Sequence, residues 1–131
     1  MNRAVQFLKD CGTFYLATVD GDRARVRPFG AVTEFEGKTY ICTNGEKAVY
    51  RQMLENPNVE LSATNEQGDW IRVTAKAVND GREEAKEAML LEYPNIRDMY
   101  GGNMGLFRVL FLEEATAGIY SFSGEPEFFE V

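Results

Sequence analysis

The spacing of apolar residues along the chain predicts two to three short helices. Residues 2–10, 46–55 and 82–92 each place apolar side chains on one face of a helix. In the second segment, Val49 and Met53 lie four positions apart, so their side chains would pack together against a sheet. A proline follows closely after the second and third segments, and the residue before proline disfavours helical backbone, so both helices should end there.

The remaining apolar segments are rich in β-branched and aromatic residues, which is typical of strands. The predicted strands cover residues 13–19, 23–35, 38–43, 58–64, 70–78 and 107–122. Short turns join most of them, and short turns favour antiparallel pairing. Helices and strands do not alternate regularly, which argues against a Rossmann fold. The pattern therefore predicts a small antiparallel barrel of about six strands, with helices closing its ends.

Length and composition are those of one globular domain, and we expect residues 1–131 to form it. No repeat, low-complexity segment or linker interrupts the chain. The formal net charge is −7, which disfavours broad contact with nucleic acid or anionic lipid. The chain contains no histidine, which excludes Ser-His-Asp and Cys-His catalysis and histidine-ligated zinc or haem.

The two cysteines indicate a cytoplasmic protein. Cys11 and Cys42 are far apart and form no CxxC motif, so they are predicted to be reduced, buried thiols. No apolar run is long enough to span a membrane, and the first ten residues are too polar for a signal peptide. The acidic residues near the C-terminus lack ligand spacing, so we expect no metal site.

Candidate chemistry concentrates where the strand over 38–43 leads into the helix over 46–55. A helix start presents unpaired N–H groups and partial positive charge, which can hold a phosphate. Thr43 and Asn44 would add hydrogen bonds, and Lys47 would add a charge. Arg27, on a neighbouring strand, is a second candidate cation, whereas Glu46 opposes an anion. The alternative is an ordinary turn with Asn44 as helix cap and Lys47 in solvent.

The order of these segments resembles a known family. An Arg-bearing strand in CGTFYLATVDGDRARVRPFG precedes TNGEKAVYRQMLENPNVELSA, and DWIRVTAKAV follows. This order is similar to that of the FMN-binding split barrels related to pyridoxamine 5′-phosphate oxidase. The resemblance covers nearly the whole chain and is closest to short bacterial members, including general-stress-protein and nitroimidazole-resistance relatives. It implies a mainly β, α+β fold, a six-stranded antiparallel split barrel.

The resemblance also implies a homodimer that binds FMN in the cleft between its subunits. Its implied cofactor-binding residues are Arg27, Pro28, Phe29, Gly30, Cys42, Thr43, Asn44 and Lys47. The strand segment 27–30 would line the flavin ring and ribityl chain, and residues 42–47 would lie near the chain and phosphate. Arg25 and Arg72 are weaker candidates. Trp70, Tyr120 and Phe122 would either stack on flavin from the second subunit or belong to the core or interface. Met99, Tyr100 and Met104 would form a lid or an ordinary loop.

The expected activity is that of an FMN-dependent oxidoreductase acting on a small electrophile with electrons from NAD(P)H. Pyridoxamine phosphate oxidases hold their substrate with a C-terminal Arg and His, and this chain has no His and no Lys or Arg after Arg108. Oxidation of pyridoxamine phosphate is therefore not expected. The alternatives are a non-catalytic flavin-binding stress or sensor protein and a deazaflavin-dependent reductase. No catalytic acid or base is assigned, and haem held by Cys or Tyr stays open.

Overall fold

The computed structural model describes residues 1–131 and consists mainly of one antiparallel sheet of eight strands. The strands are β1 (Phe14–Asp20), β2 (Arg23–Phe29), β3 (Val32–Phe35), β4 (Lys38–Asn44), β5 (Asn58–Thr64), β6 (Trp70–Asp80), β7 (Phe107–Tyr120) and β8 (Glu127–Glu130). Their order is β2-β1-β5-β6-β7-β4-β3, and β8 also pairs with β7. The path is open, with β2 and β3 at its two ends. This architecture confirms the predicted antiparallel class.

Two features raise the strand number from the predicted six to eight. The expected strand over 23–35 is broken at Gly30 and Ala31, because β2 pairs with β1 whereas β3 pairs with β4. The chain thus passes from one end of the sheet to the other at this point. The second addition is β8, a segment of only four residues that pairs with β7. This segment forms a strand because it pairs with β7, more than because of its own pattern of apolar and polar residues.

The helices are α1 (Arg3–Cys11), α2 (Ala48–Glu55), α3 (Glu83–Glu92) and α4 (Asn95–Met99), with a 3₁₀ turn at Met104–Leu106. The main apolar cluster joins α1 and α2 to strands that include β1, β5 and β6. A second, smaller cluster packs α3 and α4 on β4 and β7. Helix α2 begins two residues later than predicted, because residues 45–47 form a turn.

None of the helices has both the length and the apolar surface that a membrane-spanning helix needs. Cys11 and Cys42 are not joined in a disulfide.

A buried carboxylate fixes the junction between β6 and α3. Asp80 accepts hydrogen bonds from the Tyr40 hydroxyl at 2.8 Å and from Arg82 Nη2 at 3.0 Å. The backbone N–H of Arg82 also donates to Asp80 Oδ1 at 3.0 Å. The Arg82 guanidinium holds the pKa of Asp80 well below its usual range. Burial and the Asp80 carboxylate raise the pKa of Tyr40 to about 12.

Replacing Asp80 with asparagine is expected to lower the free energy of unfolding at pH 7 by about 1.5–3 kcal/mol, because charge-assisted hydrogen bonds are lost. The folded-state pKa of this carboxyl is depressed, so its contribution is present above the unfolded pKa and is lost as pH falls toward the folded pKa. The difference from wild type should therefore shrink between about pH 5 and pH 2. Urea denaturation at several pH values measures this. Glu125→Gln, at an exposed position, is the control, and a difference independent of pH would contradict the assignment.

Candidate functional site

Seven of the eight residues expected at a cofactor site line one cavity of about 360 Å³. They are Pro28, Phe29, Gly30, Cys42, Thr43, Asn44 and Lys47. The end of β2 and the residue after it supply the first three, and the end of β4 with the following turn supplies the others. These two chain segments lie more than ten positions apart in the sequence, and the fold brings them to the two sides of one cleft.

Residues 44–47, which we name the 44–47 loop, form a hydrogen-bonded turn between β4 and α2. Asn44 Oδ1 accepts from the Glu46 N–H at 2.8 Å, and the Asn44 carbonyl accepts from the Lys47 N–H at 3.0 Å. The Gly45 N–H donates to the Leu106 carbonyl at 2.8 Å. Asn44 therefore closes the turn and does not cap the helix. Lys47 is the N-cap residue of α2 and makes no side-chain capping bond.

The start of α2 offers donors and positive charge to the cavity. The backbone N–H groups of Ala48 and Val49 have no hydrogen-bond acceptor within the chain. No carboxylate lies within 4.0 Å of the exposed Lys47 ammonium group. Unpaired N–H groups at a helix start carry partial positive charge, and an ammonium group beside them adds a full charge. This end of the cavity is suited to an anion such as a phosphate.

The facing wall comes mainly from the α3–α4 region and the start of β7, with Ala31 added from the connection between β2 and β3. Its other members are Tyr93, Asn95, Ile96, Met99, Tyr100 and Phe107. Met99 and Tyr100 belong to this wall, although the sequence was compatible with either a lid or an ordinary loop at these positions. Tyr93 is fixed in place, since its hydroxyl donates to the Val32 carbonyl at 3.1 Å and accepts from the Val32 N–H at 3.3 Å. The Tyr100 ring packs edge-on against Phe107 at 5.6 Å between centroids. From the sequence alone, the only signal in this part of the wall is the helix break at Tyr93-Pro94.

The cavity lining has no Asp, Glu or His side chain. Burial raises the pKa of the Cys42 thiol to about 12, so this group is neutral and is a poor nucleophile. Burial also raises the pKa of Tyr100. The lining therefore combines apolar and aromatic walls, neutral hydroxyl and thiol groups, and one cationic end. It is suited to binding a planar, partly apolar molecule with an anionic tail and does not supply a general base.

Arg27, the eighth expected residue, does not line this cavity. Its Nη1 donates to Thr18 Oγ1 at 2.7 Å, and its Nη2 donates to Gln52 Oε1 at 2.7 Å. The Thr18 hydroxyl also donates to Gln52 Oε1 at 2.6 Å. Thr18 and Gln52 are each 3% exposed. The three side chains tie β2 to β1 and α2, so the Arg27 guanidinium is already engaged in the folded chain.

Replacing Arg27 with methionine is expected to reduce the free energy of unfolding by about 1.5–3 kcal/mol, the usual value for hydrogen bonds made by a charged group. The substitution keeps the apolar stem and removes the donors to Thr18, Gln52 and the Leu16 carbonyl. Urea denaturation measures the loss. Arg23→Met, at an exposed position on the same strand, is the control. Equal stability of Arg27→Met and wild type would show that these hydrogen bonds contribute nothing to the fold.

An aromatic patch beside the ends of β6 and β7 is formed by Trp70, Tyr120, Phe122 and Phe128, of which the two Phe side chains are exposed and the other two are half-buried. Trp70 and Tyr120 stack with ring centroids 5.6 Å apart, and Phe122 is 93% exposed. Arg72 places its Cζ 5.0 Å from the centre of the Tyr120 ring. A contiguous exposed aromatic group of this kind marks an interaction surface. Arg25, another weaker candidate, instead pairs with Asp20 at 3.1 Å.

Comparison with known proteins identifies the family. The family model described as pyridoxamine 5′-phosphate oxidase matches residues 2–117. A NimC/NimA family protein from Clostridium acetobutylicum is 50% identical, with a TM-score of 0.94, and the match covers 98% of this chain and 90% of that chain. A search among curated proteins found no match.

More distant structures share the fold. General stress protein 26 from Bacillus anthracis is 16% identical, with a TM-score of 0.76, and the match covers 97% of this chain and 95% of that one. A haem-binding protein from Mycobacterium smegmatis is 12% identical, with a TM-score of 0.75, and the match covers 99% of this chain and 59% of that one. The family match and the 50% identical structure together show that the chain belongs to the pyridoxamine 5′-phosphate oxidase-related split-barrel family.

Proposed function

We propose that this protein binds FMN in the cavity between the end of β2 and the 44–47 loop and acts as a flavin-dependent oxidoreductase. The observation that carries the proposal is the convergence of two distant segments, 28–30 and 42–47, on one cavity. A cytoplasmic location belongs to the same proposal, since Cys11 and Cys42 are free thiols.

The residues of the cavity fit the parts of FMN. Lys47 and the unpaired N–H groups of Ala48 and Val49 suit the phosphate. Phe29 and Phe107 offer apolar surface to the flavin ring. The β2 edge leaves main-chain donors and acceptors free for the polar rim of that ring, because only β1 pairs with it. The donor set therefore matches a planar heterocycle with a phosphate tail.

A second copy of the chain would complete the site. A volume of about 360 Å³ lies near the lower end of the range of small-molecule sites, which is about 300–1,000 Å³. Met99 at the rim is 75% exposed, so the cleft remains open on one side. We propose a homodimer in which the aromatic patch of one subunit, with Arg72, covers the flavin held by the other. Aromatic side chains are enriched at such interfaces.

The chemistry proposed is electron transfer from NAD(P)H to a small electrophile, such as a quinone or a nitro compound. Bound FMN supplies the redox chemistry, and the protein supplies position and electrostatics. The apolar walls would shield one side of the ring from water, and Lys47 would orient the cofactor through its phosphate. Oxidation of pyridoxamine phosphate is not proposed, because the cavity lining holds no cation other than Lys47 to bind a second phosphate.

Anaerobic mixing of the FMN-loaded protein with NADH or NADPH tests this function. The proposal predicts bleaching of the bound flavin by at least one donor and recovery of its colour when a quinone or nitro compound is added. Chemical reduction with dithionite is the control, because it shows whether the bound flavin can be reached by a reductant. Bleaching by dithionite but by neither nicotinamide would contradict the oxidoreductase proposal.

One observation favours a second candidate function, flavin binding without turnover. The cavity has no carboxylate or imidazole to move a proton, and its thiol is neutral. A stress or sensor protein that stores or reports flavin needs no such group. The same experiment separates the two functions, since a non-catalytic binder retains FMN and is not reduced by NADH or NADPH. A deazaflavin in place of FMN would contact the same cavity walls. Direct competition between the two cofactors for the protein would show which of them binds.

A further inference from the structure

Helix α4 lies between two cavities. Ile96 and Met99 line the candidate flavin cavity, whereas Arg97 lines a second cavity of about 300 Å³ beside α3. Phe107, which is 1% exposed, borders both cavities. Close packing on both sides normally holds a helix in place, and α4 lacks it. The helix therefore has space to shift toward α3, and such a shift would widen the flavin cavity.

The backbone around α4 is not tied to the sheet. Residues 95–103 make backbone hydrogen bonds only with residues 93–103. The next backbone hydrogen bond that reaches another element comes after this segment, where the Gly45 N–H donates to the Leu106 carbonyl at 2.8 Å. Residues 95–103 can therefore move without breaking any hydrogen bond of the sheet.

Few side chains hold α4 against the rest of the protein. Ile96 is the one buried residue of the helix and packs in the smaller apolar cluster. Arg97 Nη2 donates to Glu87 Oε1 on α3 at 2.8 Å. The side chains of this ion pair are 48% and 61% exposed. Because exposed ion pairs contribute little free energy, the pair can hold the helix and still release it.

Residues suited to a hinge follow α4. Gly101 and Gly102 have φ values of 59° and 81°, in the left-handed region that favours glycine. Pro94 separates α3 from α4 at the other end of the segment. Hinges are a few residues at the ends of elements that absorb changes in φ and ψ, and adjacent glycines do this at little steric cost.

In the proposed dimer, the electron acceptor needs its own entrance to the flavin ring, because the aromatic patch of the partner subunit covers the open side of the cleft. The walls from β2 and β4 are held by their paired strands. The wall from α4 has no such hydrogen bonds. It is the wall that can move while the cofactor stays in place.

We propose that residues 94–103, which we name the α4 flap, open to admit the electron acceptor, and that the Arg97–Glu87 ion pair holds the flap closed. This inference rests on the proposed flavin-dependent function. Opening moves α4 into the space beside α3 and turns about Gly101 and Gly102. The acceptor class is an uncharged quinone or nitro compound, since the lining of the flavin cavity is mainly apolar and has no carboxylate.

Hydrogen exchange of the flavin-free protein tests the movement itself. The amides of the α4 flap are expected to exchange about tenfold or more faster than those of α3, because they open locally. Arg97→Gln should speed exchange in the flap about threefold more and leave α3 unchanged. Lys86→Gln is the matched control, since it removes a contact with Glu83 within α3 and does not touch α4.

Reoxidation of the dithionite-reduced, FMN-loaded protein by a bulky, uncharged quinone tests the role of the flap. Arg97→Gln is expected to raise the rate about threefold without changing the Kd of FMN or thermal unfolding. The charge swap of Glu87→Arg with Arg97→Glu should return the rate toward that of wild type. Added salt should speed the reaction of wild type and have little effect on Arg97→Gln, because salt screens the ion pair.

Faster exchange in the flap together with faster reoxidation of Arg97→Gln supports the inference. Flap amides that exchange no faster than those of α3, or a reoxidation rate that Arg97→Gln leaves unchanged, overturn it and leave the proposed function in place. A wild-type protein that binds no flavin shows that the proposed function has failed, and the role of the flap as an entrance fails with it.

Discussion

Replacing Lys47 with glutamine is expected to weaken FMN binding about tenfold or more, because a charge-assisted contact contributes about 1.5–3 kcal/mol. The ammonium group lines the cavity beside unpaired N–H groups of α2 and has no competing carboxylate partner. Riboflavin binding should change little, since the lost interaction is with the phosphate. Added salt should reduce the difference between the two proteins, because screening weakens an exposed charge.

Lys38→Gln is the matched control for this effect. Lys38 is exposed and begins β4, at the opposite end of the strand from the 44–47 loop. It should leave FMN and riboflavin binding unchanged. If Lys47→Gln bound FMN as tightly as wild type, the phosphate end of the site would lie elsewhere. The 44–47 loop would then be only an ordinary connection between a strand and a helix.

If the chain forms the proposed homodimer, replacing Phe122 with aspartate is expected to convert it to a monomer and to lower FMN affinity about tenfold or more. Phe122 is 93% exposed, so the substitution leaves the core of the subunit intact. In a dimer its ring would be buried, and a carboxylate buried without a partner is strongly unfavourable. The aromatic patch would no longer cover the flavin held by the other subunit. Sedimentation at micromolar concentration, with and without FMN, measures both effects.

Leu91→Asp separates this effect from a general change in surface charge. Leu91 is 84% exposed and lies on α3, outside the aromatic patch. It should leave the dimer and FMN affinity unchanged. A Phe122→Asp protein that remains dimeric and binds FMN normally would show that the patch is not the interface.

Much of the fold was predictable because its signals are local. Alternating apolar positions in β5 and β6 give alternating burial, and Gly21 and Gly37 adopt positive φ in the short turns that separate the predicted strands. The break between β2 and β3 was not predictable, because it reflects pairing with different partners. Strand β8 was missed for a similar reason, since it gains its hydrogen bonds only beside β7.

The candidate site divides in the same way. Its β2 and β4 walls follow from family resemblance, because both segments carry recognisable sequence. The wall formed by Tyr93, Ile96 and Phe107 depends on how α3 and α4 pack on the sheet, and no local spacing encodes that packing. Arg27 shows the limit most clearly. The sequence shows that a cation is present, whereas only the structure shows that its guanidinium already donates to Thr18 and Gln52.

Gel filtration of the protein after incubation with FMN tests the central claim most directly. The absorbance of protein and flavin across the elution profile reports assembly and occupancy together. A flavin-coloured peak at the size of a dimer, with FMN and chain in equimolar amounts, is the result expected. A colourless peak, or a coloured peak at the size of the monomer, would contradict a flavin site shared between two subunits.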